Sequence, residues 1–256
     1  MAAPIIMVHG AFCGGWTFDQ FRNPFEAAGH KVLTPSLPGH DPGDPADRVR
    51  GLSMLDYARH VADLAQAQTS PPVLVGHSLG GLVGLLAARR APVAGLILLA
   101  PSPPWGVSGW TLEEGVTAFG LQMLGPYWTQ AVAPDRNLML RFSLDRLPAG
   151  RRRPILERMR PESGRALWET LNWWLDPGMT THAGTGPDAP ALVLVGERDS
   201  VHPPATAQAT AARIGGDCEV LPGMSHWLPG EPGWEAVAGR CLAWMDQGLA
   251  GVGRTR

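Results

Sequence analysis

Five short apolar runs bounded by glycine, proline or loop residues recur along the chain: Ile5–Val8, Lys31–Thr34, Val73–Val75, Gly95–Leu99 and Leu192–Val195, with a weaker one at Glu219–Leu221. Each is near-continuous rather than alternating, the pattern of strands covered on both faces in a parallel sheet. Between them apolar residues return at helical spacing: Phe18, Phe21, Phe25; Met54, Tyr57, Val61, Leu64; Leu82, Leu85, Leu86; Val237, Cys241, Trp244, Met245. Strand and helix therefore alternate, which predicts right-handed β-α-β crossovers and an α/β fold with a mostly parallel, doubly wound sheet. The alternation breaks once. Residues 102–188 carry no convincing strand, whereas Leu112, Val116, Phe119, Met123 and Leu167, Leu171, Trp174, Leu175 read as helices. The expected organisation is one core domain, residues 1–101 and 189–256, with 102–188 inserted as a helical cap.

Composition narrows the function classes. Only 17% of the 256 residues are charged, the net charge is −2, and the longest basic run is Arg151-Arg152-Arg153. That leaves no electrostatic footprint for nucleic acid or an anionic membrane. The three cysteines, Cys13, Cys218 and Cys241, are too few and too scattered for a disulfide framework or a zinc site, so no metal is expected. The N-terminus lacks a basic segment followed by an apolar stretch, and no internal apolar run reaches the roughly 18 residues of a membrane span. A reducing cytoplasm is the expected compartment.

The sharpest chemical signal is Val73-Leu74-Val75-Gly76-His77-Ser78-Leu79-Gly80-Gly81, a buried strand entering G-x-S-x-G and then an apolar helix. A nucleophile elbow needs small residues two before and two after the serine because the turn brings backbone against backbone. Gly76 and Gly80 meet that need. A serine hydroxyl is a poor nucleophile at neutral pH and requires a base, itself oriented by a third group. Leu192–Val195 leads into Gly196-Glu197-Arg198-Asp199, and Leu221-Pro222-Gly223-Met224-Ser225 ends at His226. The order Ser78, Asp199, His226 is that of nucleophile-elbow hydrolases. Glu197 and Asp217 are rival acids; Asp199 is favoured by its position after the strand. His202, His30, His60 and His182 read as surface or locally bonded groups. The glycine-rich loop His9-Gly10-Ala11-Phe12-Cys13-Gly14-Gly15-Trp16 leaves the first strand, and its amides, with that of Leu79, are the expected donors to an oxyanion. Read alone, the loop is equally a turn or a phosphate cradle, although it lacks the Lys-Ser/Thr of a P-loop.

Taken together, His9-Gly10-Ala11, Gly76-His77-Ser78-Leu79-Gly80-Gly81, Gly196-Glu197-Arg198-Asp199 and His226 resemble the α/β-hydrolase superfamily, over nearly the whole chain. The short N-terminus and the H-G-A-x-x-G-G-W loop are similar to the small esterase and hydroxynitrile lyase group. The resemblance implies that the sheet begins at the family's third strand and that the cap lies between its sixth and seventh. It implies Ser78 as nucleophile, His226 as base then acid, Asp199 as its orienter, the amides of Ala11 and Leu79 as the oxyanion hole, and no cofactor. Phe12, His77, Trp105 and Trp227 are the expected substrate contacts. Related epoxide hydrolases and dehalogenases use an aspartate where this chain has Ser78. The lyases place Thr after the loop histidine and Lys after the catalytic one, where this chain has Gly10 and Trp227. Cofactor-free dioxygenases and perhydrolases share the triad, and some relatives are non-catalytic receptors. The leading expectation is hydrolysis of a small carboxylic ester, thioester or lactone with a mainly apolar substituent. Six of the ten tryptophans (Trp105, Trp110, Trp128, Trp168, Trp173, Trp174) and the methionines Met123, Met139, Met159 and Met179 supply an apolar, adaptable cap. A homodimer is left open.

Overall fold

The computed structural model describes residues 2–108, 111–123, 125–186 and 188–252, apart from the side chains of 112–114, 117–118 and 248–252. Trp110 lies outside the described residues. The elements are β1 (Ile5–Val8), α1 (Asn23–Ala27), β2 (Val32–Leu33), α2 (Met54–Gln66), β3 (Val73–His77), α3 (Leu79–Ala87), β4 (Gly95–Leu99), α4 (Leu112–Gln122), β5 (Ala131–Val132), α5 (Arg136–Leu138), α6 (Ala149–Arg158), β6 (Glu162–Ser163), α7 (Gly164–Leu171), β7 (Ala191–Gly196), α8 (Pro204–Ile214), β8 (Asp217–Leu221) and α9 (Trp234–Val252).

Six strands form one parallel sheet in the order β2-β1-β3-β4-β7-β8. The near-continuous apolar runs have a direct physical cause. Ile6, Val8, Leu74, Leu96, Leu98, Val193 and Val195 pack on one face against Met54, Tyr57 and Val61 of α2, Leu82, Leu85 and Leu86 of α3, and Ala207, Ala211 and Ile214 of α8. Their neighbours Ile5, Met7, Val73, Val75, Ile97, Leu99, Leu192 and Leu194 meet Phe18, Phe21 and Phe25 on the other face, together with Val237, Cys241 and Trp244 of α9. Side chains alternate across a strand, so a strand covered on both faces must be apolar at every position. β8 lies at the edge and keeps Asp217 and Cys218 exposed, which is why its pattern is weak. β2 is reduced to two residues.

Strand order reverses between β1 and β3: the chain steps outward to β2, returns past β1 to β3, and continues to the other edge. At such a switch point the loops beyond the strand ends separate and open a crevice. Val8 pairs with Gly76, so His9-Gly10-Ala11 and His77-Ser78 emerge side by side at that crevice.

The segment between β4 and β7 is mainly helical but not strandless, contrary to its sequence pattern. β5 and β6 pair antiparallel through Ala131 with Ser163 and Val132 with Glu162. Two-residue strands leave no periodicity to read. This segment is stitched to the core by polar contacts. Glu169 accepts from the Ser53 hydroxyl and, at 2.8 Å, from Met54 N at the start of α2, while Ser53 and Asp56 form that helix's capping box. Ser163 Oγ donates to Leu52 O. Arg160 reaches Pro42 O and Asp44 O. No helix among the described residues is long and apolar enough to cross a membrane.

The elbow tolerates no side chain at Gly80, where a Cβ would overlap Val8 O and His9 O, both held by the sheet. Gly80→Ala is expected to destabilise the fold by about 3 kcal/mol, lowering Tm by about 6–12 °C in a thermal melt.

Candidate active site

Three strand ends deliver Ser78, Asp199 and His226 to one point. Ser78 sits between β3 and α3 with φ 54° and ψ −122°, a left-handed conformation that costs a non-glycine residue about 1–3 kcal/mol. The turn is locked from both sides: Ser78 N donates to Leu99 O at 2.9 Å, and Ser102 N donates to Ser78 O at 3.0 Å. Strain aims Oγ away from the sheet and toward His226, whose Nε2 lies 3.1 Å away. His226 Nδ1 lies 2.9 Å from Asp199 Oδ2. The other carboxylate oxygen, Oδ1, accepts from Val201 N and His202 N, both at 2.9 Å, which fixes its orientation. Burial would raise the Asp199 carboxyl, but His226 and His202 beside it and the amide bond hold it below its ordinary value. An ionised Asp199 accepts a hydrogen bond from His226 Nδ1–H, leaving Nε2 as acceptor for the Ser78 hydroxyl. The rival acids stand elsewhere. Glu197 is exposed and accepts from Gly223 N, and Asp217 is exposed at the sheet edge.

Above Ser78 lies a cavity of about 520 Å³. Gly10, Ala11, Phe12 and Leu79 form its floor with Ser78 and His226, and among the described residues the amides of Ala11 and Leu79 donate to no protein acceptor. The walls are Leu121, Leu138, Met139, Met159, Leu167, Leu171, Trp173 and Trp174, with no Lys or Arg among the described lining residues. The lining carboxylate, Asp135, is engaged in capping α5 through Asn137 N and Leu138 N.

The family model that matches, described as the alpha/beta hydrolase family, covers residues 5–240. The chain belongs to this family. A pyrethroid hydrolase of Sphingobium wenxiniae is 40% identical over 97 residues, 37% of this chain and 34% of that protein. The acetyltransferase component of the acetoin cleaving system of Pseudomonas putida is 30% identical over 94% of this chain and 63% of its own length. A pimeloyl-[acyl-carrier protein] methyl ester esterase of Aromatoleum aromaticum is 28% identical over 87% of this chain and 92% of its own. The match covers less than two thirds of the length of the first two. Among solved structures, a pyrethroid hydrolase of Sphingobium faniae superposes with TM-score 0.71 at 24% identity, covering 96% of this chain and 98% of that one. An Arabidopsis methylesterase gives 0.72 at 18% identity, covering 96% and 99%.

Within this α/β-hydrolase the expected substrate contacts divide. Phe12 and Trp227 line the cavity, Trp227 stacked on Trp16. His77 also lines it, but its Nε2–H donates to His226 O at 2.9 Å, and burial drives the imidazole down to about 3. It supports the histidine loop as a neutral group. Trp105 is corrected: it packs edge-on against Trp173 and His182, outside the cavity lining. Met139 and Met159 reach the wall, whereas Met123 and Met179 are exposed. His202 was expected to be a local surface group but is buried, lines the cavity 5.4 Å from the His226 ring, and lies 3.1 Å from Ser102 Oγ. Its position three residues after Asp199 was the available signal.

Glu231 braces the loop from behind, accepting from Ser225 N at 2.8 Å. Burial, reinforced by Asp145 and Asp199, pushes its carboxyl up to about 7. Between the ordinary carboxylate range and that value the folded protein holds a proton that the unfolded chain releases, so this group's contribution to stability falls as pH rises. Glu231→Gln is expected to flatten the decline in Tm between pH 5 and pH 7.5. An equal decline in both proteins contradicts the assignment.

Proposed function

We propose that the protein is a serine esterase that cleaves a small, neutral carboxylic ester with a mainly apolar substituent, thioesters and lactones being chemically equivalent targets. The observation that carries this reading is the linear chain from Ser78 Oγ to His226 to Asp199, at 3.1 and 2.9 Å, beneath an apolar cavity. In acylation, Oγ attacks the ester carbonyl carbon as its proton passes to His226 Nε2. The carbonyl oxygen becomes an anion facing the Ala11 and Leu79 amides, near the positive end of α3. Asp199 stabilises the imidazolium without taking its proton. Collapse breaks the C–O bond, and His226 returns its proton to the departing alkoxide. Water then repeats the sequence on the acyl-enzyme, releasing the acid and regenerating Ser78.

The substrate class follows from the walls. A cavity without Lys or Arg among its described lining residues offers a carboxylate or phosphate no counter-charge, so a neutral ester is favoured. The 520 Å³ volume suits a molecule of ordinary ligand size. Residues 102–188 act as the lid of this cavity. Its α6–α7 flank is stitched to the core, while Val116 of α4 and Trp174 line the cavity and are also exposed. A cyanohydrin lyase of this pattern needs a cation beside the base, where this protein has the buried Trp227.

Ser78→Ala is expected to lower kcat on p-nitrophenyl esters by about 10⁶-fold and Asp199→Asn by about 10⁴-fold, with circular dichroism unchanged. A fluorophosphonate should add to the peptide containing Ser78 in the wild type. Labelling elsewhere, or rapid cyanide release from mandelonitrile without ester turnover, contradicts the reading. Trp173→Ala and Trp174→Ala are expected to change KM for long acyl chains by about tenfold relative to acetate, with Tm within a few degrees of wild type. Unchanged selectivity would make these side chains packing alone.

A further inference from the structure

A carboxylate of the lid is buried next to the loop that carries the Ala11 amide. Glu162 of β6 has no solvent exposure, and all its contacts but one cross to the core. Its Oε1 accepts from the Tyr57 hydroxyl at 2.6 Å and from Ser163 N at 2.7 Å; its Oε2 accepts from His40 Nε2 at 3.2 Å and from Phe12 N at 3.3 Å. His40 is equally buried. Burial would raise the Glu162 carboxyl and lower His40, but each holds the other charged: Glu162 stays below its ordinary value and His40 above.

Phe12 needs such a partner because its φ is 65°, a left-handed conformation on a bulky side chain. Both of its backbone polar groups are held by the lid: N–H by Glu162, and C=O by Arg160 N at 2.8 Å. The preceding peptide is fixed from the core. Gly10 O accepts from His9 Nδ1 at 2.8 Å and from Cys13 N at 3.3 Å, while His9 Nε2 accepts from Leu37 N at 2.9 Å. In a trans peptide the N–H points opposite the C=O. Gly10 O aimed at His9 and Cys13 therefore turns the Ala11 N–H the other way, provided the chain at Phe12 stays folded over.

We propose that Glu162 is a positioning residue for the oxyanion hole: by holding the Phe12 N–H it fixes the direction of the Ala11 amide over Ser78. This rests on the esterase reading above. The lid thereby sets transition-state binding as well as covering the substrate. The Phe12 amide, taken up by Glu162, is withdrawn from competing for the oxyanion.

The test compares ground-state and transition-state binding in Glu162→Gln. The probes are p-nitrophenyl butyrate, an aryl trifluoromethyl ketone that adds reversibly to the serine to give a tetrahedral oxyanion, and the matching methyl ketone. Expected are a kcat lower by about tenfold to a hundredfold, a parallel loss of trifluoromethyl ketone affinity, and KM and methyl ketone affinity within about threefold. A role confined to docking the lid would instead move Tm and KM and leave the ratio of the two ketone affinities at the wild-type value, which overturns the proposal. Tyr57→Phe removes one donor from the same carboxylate at nearly constant volume and should shift that ratio in the same direction by a smaller factor. Should Glu162→Gln fail to fold, an unshifted ratio in Tyr57→Phe overturns the proposal by itself. A wild type that neither turns over the ester nor binds the trifluoromethyl ketone defeats the esterase reading, and this inference falls with it.

Discussion

A parallel sheet with both faces covered has one place left for chemistry, the edge where its strands end. In β1, β3, β4 and β7 every side chain is buried, and the polar residue among them, His77 at the last position of β3, finds its partner beyond the strand at His226 O. The reversal of strand order between β1 and β3 then parts the loops at a single position along that edge. Ser78, the Ala11 loop, Asp199 and His226 converge there because each lies within about five residues of the end of a strand in the one sheet. The distances of 3.1 and 2.9 Å that join the three side chains are thus consequences of sheet geometry more than of local loop design.

Close approach extracts its own requirement. For β3 to turn into α3 directly above β1, the helix must begin within contact of the Val8 and His9 carbonyls, and Gly76 and Gly80 leave the space. The strain this places on Ser78 persists because β4 and the loop that follows it supply both hydrogen bonds that hold it, one donated by Ser78 N to Leu99 O and one donated by Ser102 N to Ser78 O. Ser78, half-buried, is held toward the cavity by that surrounding core.

How much of this was legible in the sequence follows from how far each signal extends along the chain. Strands buried on both faces announce themselves as unbroken apolar runs, and the elbow as small residues at fixed offsets. β8 half-escaped because an edge strand may keep Asp217 and Cys218 in water, and β5 and β6 escaped entirely because two residues have no period. Among the tryptophans, helical spacing placed Trp174 on an apolar stripe but did not separate the cavity wall, Trp173 and Trp174, from Trp105 packed behind it. Glu162 was invisible for a different reason. Its partners Phe12, His40 and Tyr57 lie more than 100 positions away, so nothing local marks a lone glutamate as the joint between lid and core.

That joint is made of buried charge where apolar packing would also have closed the seam. A buried ion pair is a weak source of stability, since removing two charges from water opposes most of their attraction, and well-packed apolar residues often do as well. Tyr127, Val132 and Leu167 of residues 102–188 already pack with Phe12 of the core loop. What apolar contacts cannot do is accept a hydrogen bond in one direction. The Phe12 N–H is a half-buried backbone donor at a positive φ, and the acceptor it finds comes from residues 102–188 and not from the sheet edge. The side chain that reaches it is that of Glu162. Once a carboxylate is placed there it must itself be satisfied, and His40, Tyr57 and Ser163 N complete its shell. The cluster therefore follows from the conformation of one loop residue, and under the proposal made above the direction of the Ala11 amide depends on it.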